Sequence, residues 1–394
     1  MIDENEILKY TSSVRSELEV YEDSKEEEVR SEIARIIYRE TAEENFSLKD
    51  RETLVKNVFD SIRKLDVLQE LIEDEEISEI MVNGYDHIFI EKKGTIYEWN
   101  KRFSSREKLE DVIQQIVSSC NRVVNESEPI VDARLAGGER VNIVLSPPAV
   151  VGPIITVRRF PRNVFTMEKM IENKSITKEA AAFLQDAVRA GYNIFVSGGT
   201  SSGKTTLLNV LSDFIPAGER VVTIEDSAEL QIKSVDNLVR LETRNANSSG
   251  CAAITIKDLI KTALRMRPDR IIVGEVRGAE VADMLQAMNT GHNSMSTGHA
   301  NSAADMITRL EAMYLQNAEI PLESIRRQIA SGIEIMIHLE RSKTGLRRVT
   351  EINEVTSGEN KSIELKKIFD TKFVGGEPVL MRVGELGNRY KMEK

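Results

Sequence analysis

The C-terminal part of this 394-residue sequence predicts an α/β fold, with a mostly parallel sheet covered by helices on both faces. Short apolar strands are expected at 194–196, 221–224 and 271–273, and segments of helical periodicity separate them. The first strand leads into a glycine-rich turn and an apolar helix. Strands that alternate with helices pair in parallel, because each connection must cross the sheet before the next strand begins. We place this domain at residues 177–394, with Thr177 capping its first helix.

A smaller α+β domain is expected at residues 74–160, and a linker at 161–176 follows it. Turn signals such as Asn83-Gly84 and Gly137-Gly138 separate short apolar runs, as in β-hairpins. Ser104 or Ser105 can cap a helix in the middle of this domain. The strands are expected at 80–82, 87–90, 95–99, 131–135 and 140–145.

Residues 1–73 are interpreted as a helical N-terminal extension. Its first two dozen residues are polar, and we expect them to be mobile. Amphipathic helices are expected at 25–44 and 52–72. The first 50 residues contain 15 acidic and 7 basic residues, so most of the chain's net charge of −11 lies there. A solvated appendage and a partner-docking element both fit this pattern.

Composition indicates a cytoplasmic globular protein, with 41% hydrophobic and 30% charged residues. Cys120 and Cys251 are far apart, which argues against a disulfide framework. The acidic N-terminus shows no signal peptide, and prolines interrupt the apolar stretch 141–157, so no membrane span is expected. Beyond the extension the chain is nearly neutral, which disfavours a nucleic-acid partner.

A phosphate-binding loop is predicted after the first strand of the α/β domain. The pattern Gly-x-x-x-x-Gly-Lys-Thr begins at Gly198 and leads into a helix, which is the context that a Walker A motif requires. Glycines let backbone N–H groups point at phosphate oxygens, Lys204 can reach the β- and γ-phosphates of ATP, and Thr205 can coordinate Mg²⁺. The predicted nucleotide-binding residues are Gly198, Gly199, Thr200, Ser201, Ser202, Gly203, Lys204, Thr205 and Thr206.

Hydrolysis also needs carboxylates that orient water and support Mg²⁺. One acidic cluster, residues 225–229, follows the strand at 221–224, and Glu275 follows the strand at 271–273. Ligands bind at the carboxyl ends of parallel strands, so both clusters are expected to lie near the phosphate loop.

His292 and His299 are a further pair of candidates in a chain with four histidines. Gly291 and Gly298 argue against a helix that would place both rings on one face. A zinc site would need more ligands than this segment offers. We expect the histidines to act as polar sensors that contact nucleotide or a neighbouring subunit.

The order of these motifs resembles the secretion ATPase superfamily of type II and type IV systems. The sequence contains segments similar to its Asp box (224–230), its Walker B box (265–277) and its His box (290–300). The segments at 131–142 and 155–160 resemble the CpaF branch, which drives assembly of tight-adherence (Flp-type) pili. The resemblance extends over about 71–352.

This resemblance implies a hexameric ring of subunits, each with an α+β domain and a RecA-like ATPase domain that hold ATP between them. It implies that Glu275 is the Walker B glutamate, which also supports Mg²⁺, and that Glu229 polarises the attacking water. It matches His292 and His299 to the His box. It also implies inner-membrane platform proteins as partners, at the cytoplasmic face of the inner membrane.

The resemblance further matches an arginine clamp, some members of which act on the γ-phosphate: Arg134, Arg140, Arg158 and Arg159. The histidine spacing fits the wider superfamily better than the CpaF branch, and Ala136-Gly137 replaces a more usual Pro-Asp. The function predicted from the sequence is therefore ATP hydrolysis by a secretion motor that powers pilus assembly or type II/IV-like secretion.

Other functions remain open at this point. A RecA-like motor that translocates nucleic acid is the main alternative, although the near-neutral body counts against it. A regulatory module that binds nucleotide without turnover would not need both Glu229 and Glu275. No lid typical of a metabolite kinase stands out, and no Leu-Ser-Gly-Gly-Gln signature of an ABC ATPase occurs.

Overall fold

The computed structural model describes residues 4–17, 25–92, 94–120, 122–159, 165–244, 246, 252–316, 320–342, 345–358 and 362–393. The chain forms two compact units, Met1–Asn163 and Val164–Lys394. Within the described residues, no helix is both long and apolar enough to cross a membrane.

The first unit begins with helices that pack on one another. These are α1 (Glu4–Glu17), α2 (Glu26–Glu40), α3 (Leu48–Arg63) and α4 (Val67–Glu73). The expectation of a mobile start is wrong for residues 4–17, because α1 buries Tyr10 and Val14 against the apolar faces of α2 and α3. The helix is mostly polar, and its apolar stripe consists of only Ile7, Tyr10 and Val14, which is too short to stand out in the sequence.

The single helix predicted at 52–72 is two helices in the structure. Asp66 has a positive φ of 52°, which is incompatible with a continuous helix, so α3 ends before this residue and α4 begins after it. Lys108 lies 3.8 Å from Asp66 and donates a hydrogen bond to the Ser61 carbonyl oxygen. Tertiary contacts therefore fix a break that hydrophobic periodicity alone does not reveal.

The rest of the first unit is an antiparallel sheet with one helix. Its elements are β1 (Ile77–Asn83), β2 (Ile88–Lys92), β3 (Thr95–Glu98), α5 (Arg106–Ser119), β4 (Ile130–Arg134), β5 (Arg140–Val144) and β6 (Ile154–Arg158). The strand order is β3-β2-β1-β6-β5-β4. All five predicted strands are confirmed, and Ser105 caps α5 by accepting a hydrogen bond from the Lys108 backbone N–H.

The second unit contains the predicted α/β sheet. Its helices are α6 (Met167–Glu172), α7 (Lys178–Arg189), α8 (Lys204–Ser212), α9 (Ile256–Ala263), α10 (Val281–Asn289), α11 (Ala303–Leu315) and α12 (Leu322–Gly332). Its strands are β7 (Ile194–Gly198), β8 (Val221–Glu225), β9 (Leu238–Glu242), β10 (Arg270–Val273), β11 (Asn293–His299), β12 (Ile335–Arg341), β13 (Arg347–Ser357), β14 (Ile363–Val374) and β15 (Glu377–Arg382).

The strand order of this sheet is β15-β14-β13-β12-β7-β11-β10-β8-β9. Strands β12 through β9 in that order pair in parallel, and β13 to β15 extend the sheet as an antiparallel meander. Every residue of β7, β8 and β10 is buried, as expected for strands with helices on both faces. The predicted α/β fold is confirmed.

The prediction that Thr177 caps the first helix of the α/β domain is wrong. Thr177 occupies the position before α7, but its hydroxyl makes no capping hydrogen bond, and its Oγ1 is buried without a hydrogen-bond partner in the described part of the chain. At the other end of α7, Gly191 follows the helix with φ +79°, a backbone conformation that glycine adopts readily at a helix C-terminus.

Candidate nucleotide-binding site

The loop between β7 and α8 has the backbone shape of a phosphate cradle. A Cβ on Gly198 would lie 2.6 Å from the Leu339 carbonyl oxygen and 2.6 Å from Ser202 Oγ, so only glycine fits there. Gly203 adopts φ +99° and Ser201 φ 57°, both in the left-handed region. Alternation of left- and right-handed residues turns successive N–H groups inward, and the N-terminus of α8 adds partial positive charge. The loop can therefore bind an anion such as a phosphate.

Lys204 is the first residue of α8 and is only 6% exposed. Its ammonium Nζ donates a hydrogen bond to the Gly199 carbonyl oxygen at 2.8 Å and lies 3.2 Å from His299 Nδ1. Burial lowers the pKa of Lys204, and the nearby Glu275 carboxylate opposes that shift. Lys204 is thus folded back across the loop, within reach of any group that the loop holds.

His299 connects Lys204 to Glu275. It ends β11, and its Nε2 lies 2.7 Å from Glu275 Oε1. The two groups are not aligned for a hydrogen bond, so the buried Glu275 Oε1 has no hydrogen-bond partner in the described part of the chain. Burial lowers the pKa of His299, against the effect of Glu275, so the neutral ring is favoured. A neutral ring can accept a hydrogen bond from the Lys204 ammonium at Nδ1 while Nε2–H faces the carboxylate.

The other oxygen of Glu275 is held by Arg277. The guanidinium of Arg277 donates to Glu275 Oε2 at 2.8 and 3.0 Å and lies 3.5 Å from Asp226 Oδ2. These carboxylates raise the pKa of Arg277, with the hydrogen bond to Glu275 as the largest cause. Glu275 therefore presents one oxygen to a fixed arginine and keeps Oε1 for a further partner.

Glu225 organises the loop that carries Glu229. Its Oε1 accepts hydrogen bonds from the backbone N–H groups of Glu229 and Leu230, at 2.9 and 3.0 Å. Its Oε2 is buried with no hydrogen-bond partner among the described residues. Gly274 makes room for this side chain, since a Cβ there would lie 2.9 Å from Glu225 Cγ. Glu229 is half-buried, and its charge acts on Arg277.

A cleft of about 660 Å³ opens beside these groups, lined by Gly199, Thr200, Glu275, Val276, Arg277, His299, Ala300, Asn301, Asp305, Thr308 and Arg309. Thr205 and Thr206 are half-buried in the first turn of α8. No three His, Cys, Asp or Glu side chains of the described residues converge as a ready-made metal site. The residues fit Mg²⁺ in a different way, since the Thr205 hydroxyl and the unpartnered Glu275 Oε1 are the kind of oxygen ligand that Mg²⁺ uses together with phosphates and water.

Comparison with known proteins agrees with this geometry. The family described as "Type II/IV secretion system protein" matches residues 62–363. The chain belongs to that family.

Named relatives include the conjugal transfer protein TrbB of Rhizobium radiobacter, 32% identical over 318 residues that cover 79% of this chain and 94% of TrbB. The type IV secretion system protein PtlH of Bordetella pertussis is 33% identical over 318 residues, which cover 73% of this chain and 93% of PtlH. The crystal structure of the pilus retraction motor PilT with ADP aligns with a TM-score of 0.56 at 21% identity, covering 77% of this chain and 82% of that one, which shows a shared fold.

As a type II/IV secretion ATPase, the chain is an enzyme that hydrolyses ATP, and the function predicted at that level is confirmed. The CpaF branch is a finer assignment and stays a prediction, because the relatives above are conjugal transfer and type IV secretion proteins.

The two His-box histidines of this secretion ATPase lie at opposite ends of one strand. His299 ends β11 beside the phosphate loop, whereas His292 precedes its first residue, Asn293. Six residues of extended chain span about 20 Å, so His292 is far from Lys204 within the same chain. His292 instead lies 3.2 Å from Thr290 Oγ1. Of the two histidines, His299 alone lies beside the phosphate loop of its own chain, and the sensor role of His292, toward nucleotide or a neighbouring subunit, stays a prediction.

The predicted arginines of the first unit divide into two groups. Arg134 pairs with Arg140 across β4 and β5, and Arg140 pairs with Arg158 across β5 and β6, so these three share one face of the sheet. Arg159 points the other way and is 9% exposed. Its guanidinium donates to the backbone carbonyls of Asp74 and Ile77. Arg159 therefore stabilises the start of β1, and its place in the arginine clamp stays a prediction.

Sequence reasoning missed Glu225 and Arg277 as site residues. Glu225 is the first residue of the predicted acidic cluster at 225–229 but was not singled out there, and Arg277 follows Glu275 by two residues. The sequence did contain a signal for Arg277, because side chains at i and i+2 of an extended segment point to the same side, which places Arg277 beside Glu275. Both residues act by positioning a predicted carboxylate.

Proposed function

We propose that this chain hydrolyses Mg²⁺–ATP at the cleft beside the phosphate loop and that the turnover drives a secretion or pilus-assembly machine. The observation that carries the proposal is the contact series Lys204–His299–Glu275, which joins the loop after β7 to the ends of β10 and β11. In a P-loop enzyme the lysine belongs on the β- and γ-phosphates and a carboxylate belongs near Mg²⁺.

The proposed chemistry assigns one task to each side chain. The Lys204 ammonium binds phosphate oxygens, and Thr205 with Glu275 holds Mg²⁺, which neutralises charge that develops on the phosphates. Glu229 orients the attacking water, held in place by the hydrogen bonds from its loop to Glu225. His299 is the sensor, because a phosphate that engages Lys204 takes that ammonium away from its ring.

Glu275→Gln tests this proposal. We expect the variant to bind ATP but to lose turnover by about 10²–10³, the scale of one preorganised catalytic group. Glu280→Gln is the matched control in the same loop. Glu280 Oε1 accepts hydrogen bonds from the backbone N–H groups of Arg277 and Gly278, and a glutamine oxygen can accept both. ATPase rates and nucleotide affinity are measured for both variants, and near wild-type turnover in Glu275→Gln would falsify the assigned role.

The machine that this motor serves is a finer question. The segments at 131–142 and 155–160 support pilus assembly of the tight-adherence type. In this proposal the chain forms a homo-oligomeric ring, a hexamer, docked on inner-membrane platform proteins at the cytoplasmic face. Native mass measurement with and without a non-hydrolysable ATP analogue tests the ring. In such a ring Arg134, Arg140 and Arg158 would complete the nucleotide site.

A DNA-transfer motor is the second candidate, and the 32% identity to a protein named for conjugal transfer favours it. The two candidates differ in their response to DNA. Single- or double-stranded DNA should leave the ATPase rate of a pilus motor unchanged, whereas a DNA motor should be stimulated strongly.

A further inference from the structure

Two arginines face each other at the end of the β12–β13 hairpin, next to the phosphate loop. Arg341 pairs directly with Arg347 across the two strands, and Leu339, two residues earlier on β12, pairs with Gly198 of β7. A strand rises about 3.3 Å per residue, so Arg341 lies about 7 Å further along β12, past the point where Gly198 turns into the loop.

Both arginines lie on the face of the sheet that α8 covers. Residues two apart on a strand share a face, and Leu339 and Val349 of that face pack in one core with Leu207 and Leu208 of α8. A Cβ on Gly203 would lie 3.9 Å from Leu339 Cδ2 and 3.4 Å from the Cδ of Arg347. The stem of Arg347 therefore packs against Gly203, the residue that precedes α8.

The positive charges of this pair are uncompensated by any residue that the structure describes. Arg341 and Arg347 are exposed, and neither guanidinium makes an ion pair or a hydrogen bond with another residue of the described part of the chain. Like charges directly opposite each other on neighbouring strands destabilise a sheet. The neighbouring Arg348, on the other face, instead donates to the Pro378 carbonyl oxygen at 3.4 Å. The arrangement at Arg347 becomes favourable when an anion binds at the loop.

We propose that Arg347 is a nucleotide-binding residue of its own subunit, whose guanidinium contacts a phosphate of the nucleotide held by the loop, with Arg341 adding to the local positive potential. A guanidinium fork matches the geometry of phosphate oxygens and strengthens a site formed by backbone N–H groups and a helix N-terminus. The inference rests on the proposed binding of ATP at residues 198–206. Arg347 sets affinity and takes no part in bond cleavage.

The experiment measures binding of two probes to the full chain, ATP and inorganic tripolyphosphate, each with Mg²⁺, by displacement of a fluorescent ATP analogue. Arg347→Gln keeps the stem that packs on Gly203 and removes the charge. Arg347→Lys keeps the charge and loses the fork. Arg389→Gln is the control, an exposed arginine beside Asn388, whose carbonyl accepts a hydrogen bond from Tyr192 near the opposite end of β7.

We expect Arg347→Gln to lower the affinity for both probes by on the order of tenfold, which is the effect of losing one charge-assisted hydrogen bond at an exposed site. Arg347→Lys should weaken both probes less than Arg347→Gln does. The melting temperature of nucleotide-free Arg347→Gln should not fall, because a like-charge pair is removed. The KM for ATP should rise with kcat little changed.

Three results would overturn the proposal. Unchanged affinity for both probes would show that Arg347 is not a ligand contact. Weaker binding of ATP with unchanged binding of tripolyphosphate would show that the side chain contacts the base or the ribose and not a phosphate. Equal weakening in Arg389→Gln would show only a general charge effect. Because tripolyphosphate binding does not require hydrolysis, these outcomes are separate from a failure of the proposed ATPase chemistry, which would appear as absent turnover in the wild-type chain.

Discussion

Glu225 offers a quantitative test of how the loop carrying Glu229 is held. Its carboxyl is buried at the end of β8, and this burial raises its pKa to about 7, against the opposing effect of two backbone hydrogen bonds and of Arg240. We predict that Glu225→Gln removes a component of the pH dependence of stability, because an amide does not titrate. The remaining Oε1 can still accept the hydrogen bonds from Glu229 and Leu230.

The magnitude follows from the two pKa values of this carboxyl, 4.5 as the ordinary value and about 7 in the folded chain. Between these values the folded chain binds more protons than the unfolded chain, so stability falls as pH rises through that window. Each pKa unit corresponds to about 1.4 kcal/mol, and integration between pH 5.5 and pH 8 gives a loss of about 2 kcal/mol from Glu225.

The assay is urea unfolding of the full chain at pH 5.5 and pH 8. Circular dichroism follows both units, and fluorescence of the single tryptophan, Trp99, reports the first unit. The control is Glu242→Gln, an exposed carboxylate that pairs with Glu225 across β8 and β9. Glu225→Gln should lose about 2 kcal/mol less than wild type between the two pH values, and the control should match wild type. A Glu225→Gln variant with the full wild-type pH dependence would refute this account of the buried carboxyl.

Further substitutions test the site and the first unit. Lys204→Ala should abolish hydrolysis with an unchanged circular dichroism spectrum, because the ammonium is the cation placed at the loop; substantial residual turnover would contradict this. His299→Ala should lower kcat more than it weakens ATP binding, if the ring senses the phosphate that engages Lys204; an effect on binding alone would contradict a sensor role. Arg158→Ala, at an exposed position, should fold normally and lose turnover by about 10³ or more if it acts as an arginine finger. Arg159→Ala should instead destabilise the fold by about 1–3 kcal/mol, seen as a lower melting temperature, because its guanidinium satisfies buried carbonyls.

The phosphate loop could be predicted from sequence because each of its residues answers a local backbone or chemical requirement. Gly198 is required by the close approach of the Leu339 carbonyl and Gly203 by its positive φ, so the motif and the geometry carry the same information. Glu275 follows the apolar run 271–273 by two residues, and a carboxylate just after the end of such a parallel strand lies at the ligand-binding edge. These requirements are short in range, and sequence shows them directly.

The histidine pair shows where such reasoning fails. The segment Asn293–His299 is a central strand of the sheet, yet it consists largely of small and hydroxyl residues and lacks the apolar run that predicts a buried strand. One of its hydroxyls has a tertiary partner, since Thr297 Oγ1 donates to the Gly274 carbonyl oxygen. Without the strand, nothing in the spacing separates the roles of His292 and His299. The same limit applies to Arg158 and Arg159, whose opposite environments depend on the pleat of β6.

The contacts around Lys204 also suggest how binding is converted into motion. The loop after β7 is linked to β11 through His299, to β10 through Glu275, and to the segment after β8 through Arg277 and Asp226. A phosphate that engages Lys204 competes with His299 for the same ammonium, so this link cannot persist unchanged when nucleotide binds. We propose that loss of the link alters the contact between His299 and Glu275, the carboxylate that would hold Mg²⁺. In this proposal one imidazole ring couples binding at the loop to the position of Glu275, which is why His299→Ala should affect turnover more than affinity.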